Sequence, residues 1–392
     1  MTVQQDLSLT ARRVSLGDTH YPYFYGFDCS DQIVGGLSSY QADRFLVVTD
    51  TTVLDLHGDV LLPGLRRTAP VEVLAMAPGE STKTVHTLVR YLERAIASGA
   101  TRRTVVVGFG GGIPGNVAGL LASLLYRGIR LVHVPTTTVA AMDSTLSVKQ
   151  AINSSWGKNH IGSYYPPEAV YCDLRLLQTL PDKELRSGLC EMAKNCLAIR
   201  PEYVTRLREI LAGGRLDSAS TLRWLLTASL TAKSMVTAQD PHERGTGLVL
   251  EYGHTVGHAL ELCDQQARGR DGVSHGEGVA FGMLVAARLS AARNGLGPVA
   301  VRLHEDLAAA LGAPTGLPRH LGPPDLLRKV RMDNKRGYLP LGPDEAALVL
   351  LKELGQPMCT GALPLVPVPL GLVEDVLADL SAQTTSVLER EA

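Results

Sequence analysis

Short apolar runs alternate with helical periods through the first half of the chain. Phe45-Leu-Val-Val-Thr and Val71-Glu-Val-Leu read as strands, and Thr104-Val-Val-Val-Gly and Arg130-Leu-Val-His-Val-Pro135 repeat the pattern. Ser81 to Ile96 carries the spacing of an amphipathic helix, and Val117 to Leu125 that of a helix rich in small residues. Strand–helix–strand at this spacing predicts a parallel α/β sheet with helices on its faces. Asn153 to Tyr165 is polar, with glycine and aromatic residues, and suits a hairpin or loop beside a site.

The pattern changes near Leu180. Pro181 is well placed at a helix start, and helical periods follow over 182–197, 201–212, 217–238, 250–264, 277–294, 298–311 and 323–330. Ala347 to Leu351 suggests a late strand, while the polar end, Ser381 to Ala392, is expected to fray. A length of 392 residues suits two domains. The expected division is an α/β domain over 1–180 and a helical domain over 181–392.

Composition narrows the function. The chain has 38 basic and 39 acidic residues, a net charge of -1, and no basic stripe of the kind that binds nucleic acid. No run approaches the roughly eighteen apolar residues of a membrane span. The start, Met1 to Ser8, lacks the charged and apolar regions of a signal peptide. Six cysteines form no C-x-x-C pair and read as reduced thiols of a cytoplasmic protein.

The candidate chemistry centres on Leu250-Glu-Tyr-Gly-His-Thr-Val-Gly-His258, followed by Ser274-His275-Gly-Glu277. On one continuous helix, Glu251, His254 and His258 would share a face. Upstream, Glu191 and Lys194 share a face at i, i+3. A carboxylate with two imidazoles is a ligand set for a divalent cation, and zinc and cobalt both suit it. Spacing leaves open which three of Glu191, Glu251, His254, His258, His275 and Glu277 bind.

Gly110-Gly-Gly112 follows a strand and opens a helix, where backbone N–H groups can hold a pyrophosphate; such a turn serves tight packing as readily. Asp50, ending an earlier strand, is either a ribose acceptor or a cap. Thr136 and Thr137 after a buried strand can hydrogen-bond a nucleotide, and Lys149 and Lys158 suit phosphate oxygens.

These motifs occur in a fixed order: Gly110-Gly-Gly-Ile-Pro-Gly-Asn116, Arg127-Gly-Ile-Arg, Pro135-Thr-Thr, Asp143-Ser, Lys149, Gly157-Lys-Asn-His-Ile-Gly, Arg186-Ser-Gly-Leu-Cys-Glu-Met-Ala-Lys194, Gly253-His-Thr-Val-Gly-His258 and His275-Gly-Glu-Gly-Val-Ala. From about Asp50 to Lys335 the chain resembles the 3-dehydroquinate synthase-like sugar-phosphate cyclases. The resemblance implies an N-terminal Rossmann-like parallel-sheet domain, a C-terminal helical domain, tightly held NAD and one divalent metal, Co2+ or Zn2+. It implies Glu191, His254 and His275 as metal ligands. It implies NAD contacts from Asp50, Glu80, Ser81, Thr82, Lys83, Gly112, Ile113, Pro114, Gly115, Asn116, Thr136, Thr137, Ser147, Val148, Lys149, Lys158 and Asn159. The sugar would meet Asp143, Asn159, Lys194 and Lys233. Its phosphate would meet Lys149, Asn159, His258 and Lys335, with Arg127 supplied across a homodimer interface.

The departures point to a branch. Dehydroquinate synthases clamp a substrate carboxylate with an arginine placed four residues before an asparagine, and here those positions are Gly247 and Glu251. Without the bidentate arginine, and with a carboxylate in its neighbourhood, an acidic substrate is disfavoured. The combination, together with Leu-Ser-Val-Lys-Gln and Asn116, resembles the branch that cyclises glucose 6-phosphate at the entry to 2-deoxystreptamine aminoglycosides. The implied reaction is a carbon–oxygen lyase step that expels phosphate and recycles NAD, with Lys149 and Glu251 catalytic. A sedoheptulose 7-phosphate cyclase, a 3-dehydroquinate synthase and a metal-dependent NAD polyol dehydrogenase are the alternatives.

Overall fold

The computed structural model describes residues 9–269 and 272–391, with side chains as far as Ala382. Met1 to Ser8, read above for a signal segment, and Ala392 lie outside the described residues. The chain forms two compact units. One runs to Pro181 and includes Asp217–Leu230; the other is Asp182–Leu216 with Thr231–Ala392. The stretch at 217–230 was expected with the helical unit. Its backbone is held in the first, where Gln178 Nε2 donates to the Asp217 carbonyl at 2.8 Å and Arg223 lies over the Tyr25 ring.

In the first unit, β1 (Thr10–Leu16) and β2 (Thr19–Gly26) form an antiparallel hairpin. Then follow α1 (Ser30–Ser38), β3 (Phe45–Asp50), α2 (Thr51–Arg66), β4 (Val71–Met76), α3 (Val85–Ala97), β5 (Val105–Gly110), α4 (Gly112–Leu124), β6 (Arg130–Pro135), α5 (Thr138–Met142), β7 (Lys149–Ser154), β8 (Gly157–Tyr164) and β9 (Ala169–Asp173). The sheet order is β1-β2-β9-β6-β5-β3-β4, parallel from β2 onward. Alternate side chains of β3 feed two cores. Leu46 and Val48 pack with Leu88, Tyr91 and Val117, and Phe45 and Val47 with Ile33, Leu37 and Leu61. The sheet is therefore covered on both faces, as parallel sheets require. β7 and β8 form the hairpin expected after Asn153, although it begins at Lys149.

This order sets the first site. β4 lies on one side of β3 and β5 on the other, so the chain reverses direction across the sheet between β3 and β5. Ligands of open α/β sheets bind at the carboxyl ends of strands beside such a reversal. Asp50 ends β3, Gly110 ends β5 and Pro135 ends β6.

The second unit carries α6 (Asp182–Ala198), α7 (Val204–Gly213), the end of α8 (Ala219–Thr237), α9 (His254–Arg268), α10 (His275–Ala292), α11 (Pro298–Ala310), α12 (Pro323–Val330), short strand pairs over 345–369, and α13 (Leu370–Glu391). The segment expected to fray continues α13 to Glu391. α9 and α10 cross with their backbones almost touching. A Cβ at Gly282 would lie 1.8 Å from the Gly253 carbonyl oxygen, and one at Gly257 2.7 Å from that of Gly278. Only glycine permits this approach, and it carries the start of α10 to the start of α9. No helix among the described residues is long and apolar enough to cross a membrane.

Candidate metal and dinucleotide sites

In the second unit, α6, α9 and α10 bring Glu191, His254, His258 and His275 together. Glu191 Oε1 lies 3.5 Å from His254 Nε2 and 3.3 Å from His275 Nε2. The ring centroids of His254 lie 5.2 Å from His258 and 5.5 Å from His275. Donors held by one tetrahedral cation at about 2.0–2.1 Å stand roughly 3.3–3.4 Å apart, which the two Glu191–histidine separations match. His254, His258 and His275 also converge as a possible three-imidazole set. In either set, the second ring nitrogens of His254 and His275 have partners of their own. His254 Nδ1 faces the Tyr252 carbonyl at 3.2 Å, and His275 Nδ1 faces Glu261 Oε2 at 3.3 Å. Such partners fix a histidine's tautomer and aim its Nε2 at a metal.

The carboxylate supplies the strongest sign of an occupant. Glu191 is 1% exposed, and neither oxygen accepts a hydrogen bond. Lys194 Nζ lies 2.6 Å from Oε2, but off the hydrogen-bonding direction. Leaving a buried charged acceptor unsatisfied costs on the order of 1–3 kcal/mol or more. Burial alone would raise the Glu191 carboxyl; Lys194, His254 and His275 outweigh burial and hold it well below the usual carboxylate range. Burial, then Lys194, lower His254 to about 4. Burial also works against a charged His275, but the Glu191 and Glu261 carboxylates prevail and raise it. A buried carboxylate with two imidazole nitrogens at these distances is a donor set that a divalent cation fits.

Three sequence expectations change here. Glu251 does not share a helix with the histidines. It ends a 3-10 turn, Thr246–Glu251, and the left-handed Gly253, at φ +80°, breaks the path before α9 begins. Its carboxylate instead meets the buried Lys335, Nζ to Oε2 3.1 Å, so two residues given separate roles form one pair. Glu277 is spent in a capping box with Ser274 and an ion pair with Lys183 at 3.4 Å. Lys194 and Lys233 are both buried. Glu261, 2% exposed, was not anticipated, although it lies i+3 from His258 and i+7 from His254 on one face of α9.

In the first unit, Gly110 has φ +152° and Gly111 caps α4 without a side chain, leaving the first-turn N–H groups uncapped. The helix begins at Gly112, five residues earlier than expected. Asp50 accepts from Val53 N at 3.0 Å, so it is a helix cap, and its Oδ2 lies 3.8 Å from the point a Cβ on Gly110 would occupy. Thr136 Oγ1 is buried without a hydrogen-bond partner, whereas Thr137 caps α5. These groups fit a pyrophosphate and its ribose. Asn116 is committed to the fold, donating to Gly112 O at 2.8 Å and accepting from Ala151 N at 2.9 Å.

Glu80, Ser81 and Thr82 form a 3-10 turn, not the start of α3. Lys83 Nζ donates to Asn159 Oδ1 at 2.6 Å, and Lys158 Nζ lies 3.6 Å from Glu80 Oε1. Asn153 ties them, donating to Glu80 Oε1 at 2.7 Å and accepting from Asn159 N at 2.9 Å. It too was missed, because an asparagine in a hairpin reads as turn chemistry. Ser147 and Val148 are buried, Ser147 accepting from Lys149 N at 3.1 Å. Lys149 and Asp143 are half-buried. Arg127 is exposed, with φ +67° in the turn before β6.

A doubly wound sheet with a glycine turn at its reversal, and a helical unit with a Glu/His/His cluster, define a metal- and nucleotide-dependent enzyme class. Residues 73–187 match the family 3-dehydroquinate synthase N-terminal, and residues 188–336 match 3-dehydroquinate synthase C-terminal. The chain belongs to the 3-dehydroquinate synthase family. It is 48% identical over 371 residues to a 2-deoxy-scyllo-inosose synthase of Streptomyces paromomycinus, covering 94% of this chain and 95% of that one. It is 47% identical over 369 residues to the enzyme of the same name from Streptoalloteichus tenebrarius, 94% of each. Among solved structures, a 2-deoxy-scyllo-inosose synthase complexed with carbaglucose-6-phosphate, NAD+ and Co2+ matches with a TM-score of 0.87 at 34% identity, over 94% of this chain and all of that one.

Proposed function

We propose that this chain converts glucose 6-phosphate to 2-deoxy-scyllo-inosose and phosphate, recycling NAD, for aminoglycoside biosynthesis. The observation that carries this reading is Glu251 opposite Lys335, with Gly247 in place of a carboxylate-clamping arginine, in a chain at 47–48% identity to enzymes of that name.

Glu191, His254 and His275 would hold a divalent cation, Co2+ or Zn2+. Asp50, the Glu80–Lys83 turn, Gly112–Asn116, Thr136, Thr137, Ser147–Lys149, Lys158 and Asn159 would hold NAD. When bound, the metal supplies a Lewis acid at a substrate hydroxyl and NAD a hydride acceptor and donor. The chain's own groups do the rest. Glu251 takes and returns protons at C5 and C6, work a carboxylate performs and an asparagine does not. Lys149 and His258 hold the phosphate as it leaves, with Asn159 and Lys335. Lys194 and Lys233 orient ring hydroxyls, with Asp143. The protein is read as a cytoplasmic homodimer in which Arg127 reaches the phosphate of the neighbouring copy.

The test is to supply glucose 6-phosphate with substoichiometric NAD and follow free phosphate and carbocycle formation by NMR. Phosphate release with a six-membered carbocycle and no build-up of NADH is expected. NADH accumulating one-for-one with sugar consumed would identify a polyol dehydrogenase, and turnover of sedoheptulose 7-phosphate alone would identify the sibling cyclase.

A further inference from the structure

Two buried carboxylates, Glu191 and Glu261, face the histidine cluster, and the second has no role in the chemistry above. Glu261 is 2% exposed on α9, with Oε2 3.3 Å from His275 Nδ1 and Oε1 3.3 Å from Gln265 Nε2. His275 is the first residue of α10, as His254 is of α9, so its ring is oriented by what it meets beyond its own helix. We infer that Glu261 is a positioning residue for the cation: by accepting from Nδ1 of His275 it sets that ring's tautomer and turns Nε2 toward Glu191. A buried carboxylate is costly without a strong partner, and Nδ1 of His275, 3.3 Å away, is the donor that faces it. Gln265 holds the other oxygen and stops the carboxylate from rotating away. When a metal draws electrons from Nε2, a carboxylate on Nδ1–H strengthens the bond, as partners behind histidine ligands generally do.

The inference rests on the reading that Glu191, His254 and His275 bind the cation, and the experiment separates the two. Full-length protein stripped by a chelator is titrated with Co2+ against a chromophoric competitor, and the visible absorption of bound cobalt is recorded. Glu261→Ala is expected to weaken Co2+ binding by about 10–100-fold and to shift the cobalt band. Glu261→Gln keeps the volume and an acceptor oxygen but no charge, and should fall between the two with a shifted band. The thermal melt of the metal-free forms separates this effect from lost packing. His275→Ala should lose tight binding altogether. Wild-type affinity and spectrum in both Glu261 variants, or in Glu261→Gln if the alanine variant does not fold, overturns the inference. If His275→Ala also binds like the wild type, the cation site itself is misread.

Discussion

Lys335 Nζ sits 3.1 Å from Glu251 Oε2 and 2.8 Å from Asp333 Oδ1, with only 2% of its side chain exposed. One buried ammonium therefore serves two carboxylates from different segments. Burial disfavours the charge, but Asp333 and Glu251 outweigh it and raise the lysine above its ordinary value. A folded-state value above the unfolded one stabilises at every pH below the unfolded value, and that contribution is lost only as pH rises through the folded one. Lys335→Met should thus cost about 3–5 kcal/mol at pH 7, as removing one partner of a buried pair does. The gap should persist undiminished to pH 9. Urea unfolding of both proteins across that range checks it; a loss under about 1 kcal/mol would mean the carboxylates rehydrate freely.

The same pair gives Glu251 a fixed position, which the proposed proton transfers would use. Glu251→Gln keeps an oxygen for Lys335 but removes the base. Turnover should fall by at least about 100-fold, with Co2+ and NAD binding unchanged by titration. Near-native turnover removes Glu251 from the mechanism.

Thr136 offers a test of the dinucleotide site that leaves the fold alone. Its hydroxyl is buried and unpartnered, so Thr136→Val loses no internal hydrogen bond. Melting temperature should hold or rise slightly. If the hydroxyl meets NAD, dissociation should rise by about 3–10-fold, the worth of one net hydrogen bond. Fluorescence titration with NAD decides it, and unchanged affinity excludes the contact.

β3, β5 and β6 were legible because each is an apolar run buried on both faces, and the half-buried edge strand β4 because its valines still bracket a polar residue. The N-terminal hairpin was not, although Tyr21, Tyr23 and Tyr25 alternate inward on β2, because tyrosine and Pro22 blur the apolar period. β9 is five residues and too short to stand out. At the site, helical spacing grouped His254 with His258. It could not show that Gly253 breaks the helix before Glu251 would share its face, because a glycine's sign of φ is set by the neighbours it packs against. Spacing left Glu191 as one of six candidate ligands, and family likeness selected it. Glu261 escaped because a glutamate seven residues along a helix reads as a solvated face until a second helix covers it.

That covering helix makes the crossing fragile. Gly282→Ala puts a methyl 1.8 Å from the Gly253 carbonyl, where only backbone can yield. Overpacking of this kind costs about 1–3 kcal/mol and often more, and here it would also part His254 from His275. The expected result is a lowered melting temperature together with weakened Co2+ binding. Gly35→Ala is the counterpart: it lies in α1 with nothing within 4 Å of the new methyl, and should stabilise by about 0.5–1 kcal/mol. Equal effects at the two sites would mean the α9–α10 contact has slack.

Two histidines away from the metal cluster predict the acid limit of the protein. Burial lowers His133 in the first unit and His304 in the second to about 4. His304 Nδ1 faces the Ala300 carbonyl at 2.7 Å, which can only accept, so Nδ1 carries the proton and Nε2 accepts from the Tyr252 hydroxyl at 2.9 Å. His133 Nδ1 is buried with no hydrogen-bond partner at all. Both are therefore neutral in the folded state. In the unfolded chain they bind protons below about 6.5. The folded form keeps its full stability above that value and loses it as pH falls toward 4, by about 3 kcal/mol per histidine. Below 4 their contribution levels off. Urea midpoints measured from pH 7 to 4 should fall with a slope of about two protons. The imidazole resonances of both residues should stay in the neutral form at pH 5.5. A flat stability profile over that window, or protonated resonances at pH 5.5, would show that water reaches these rings.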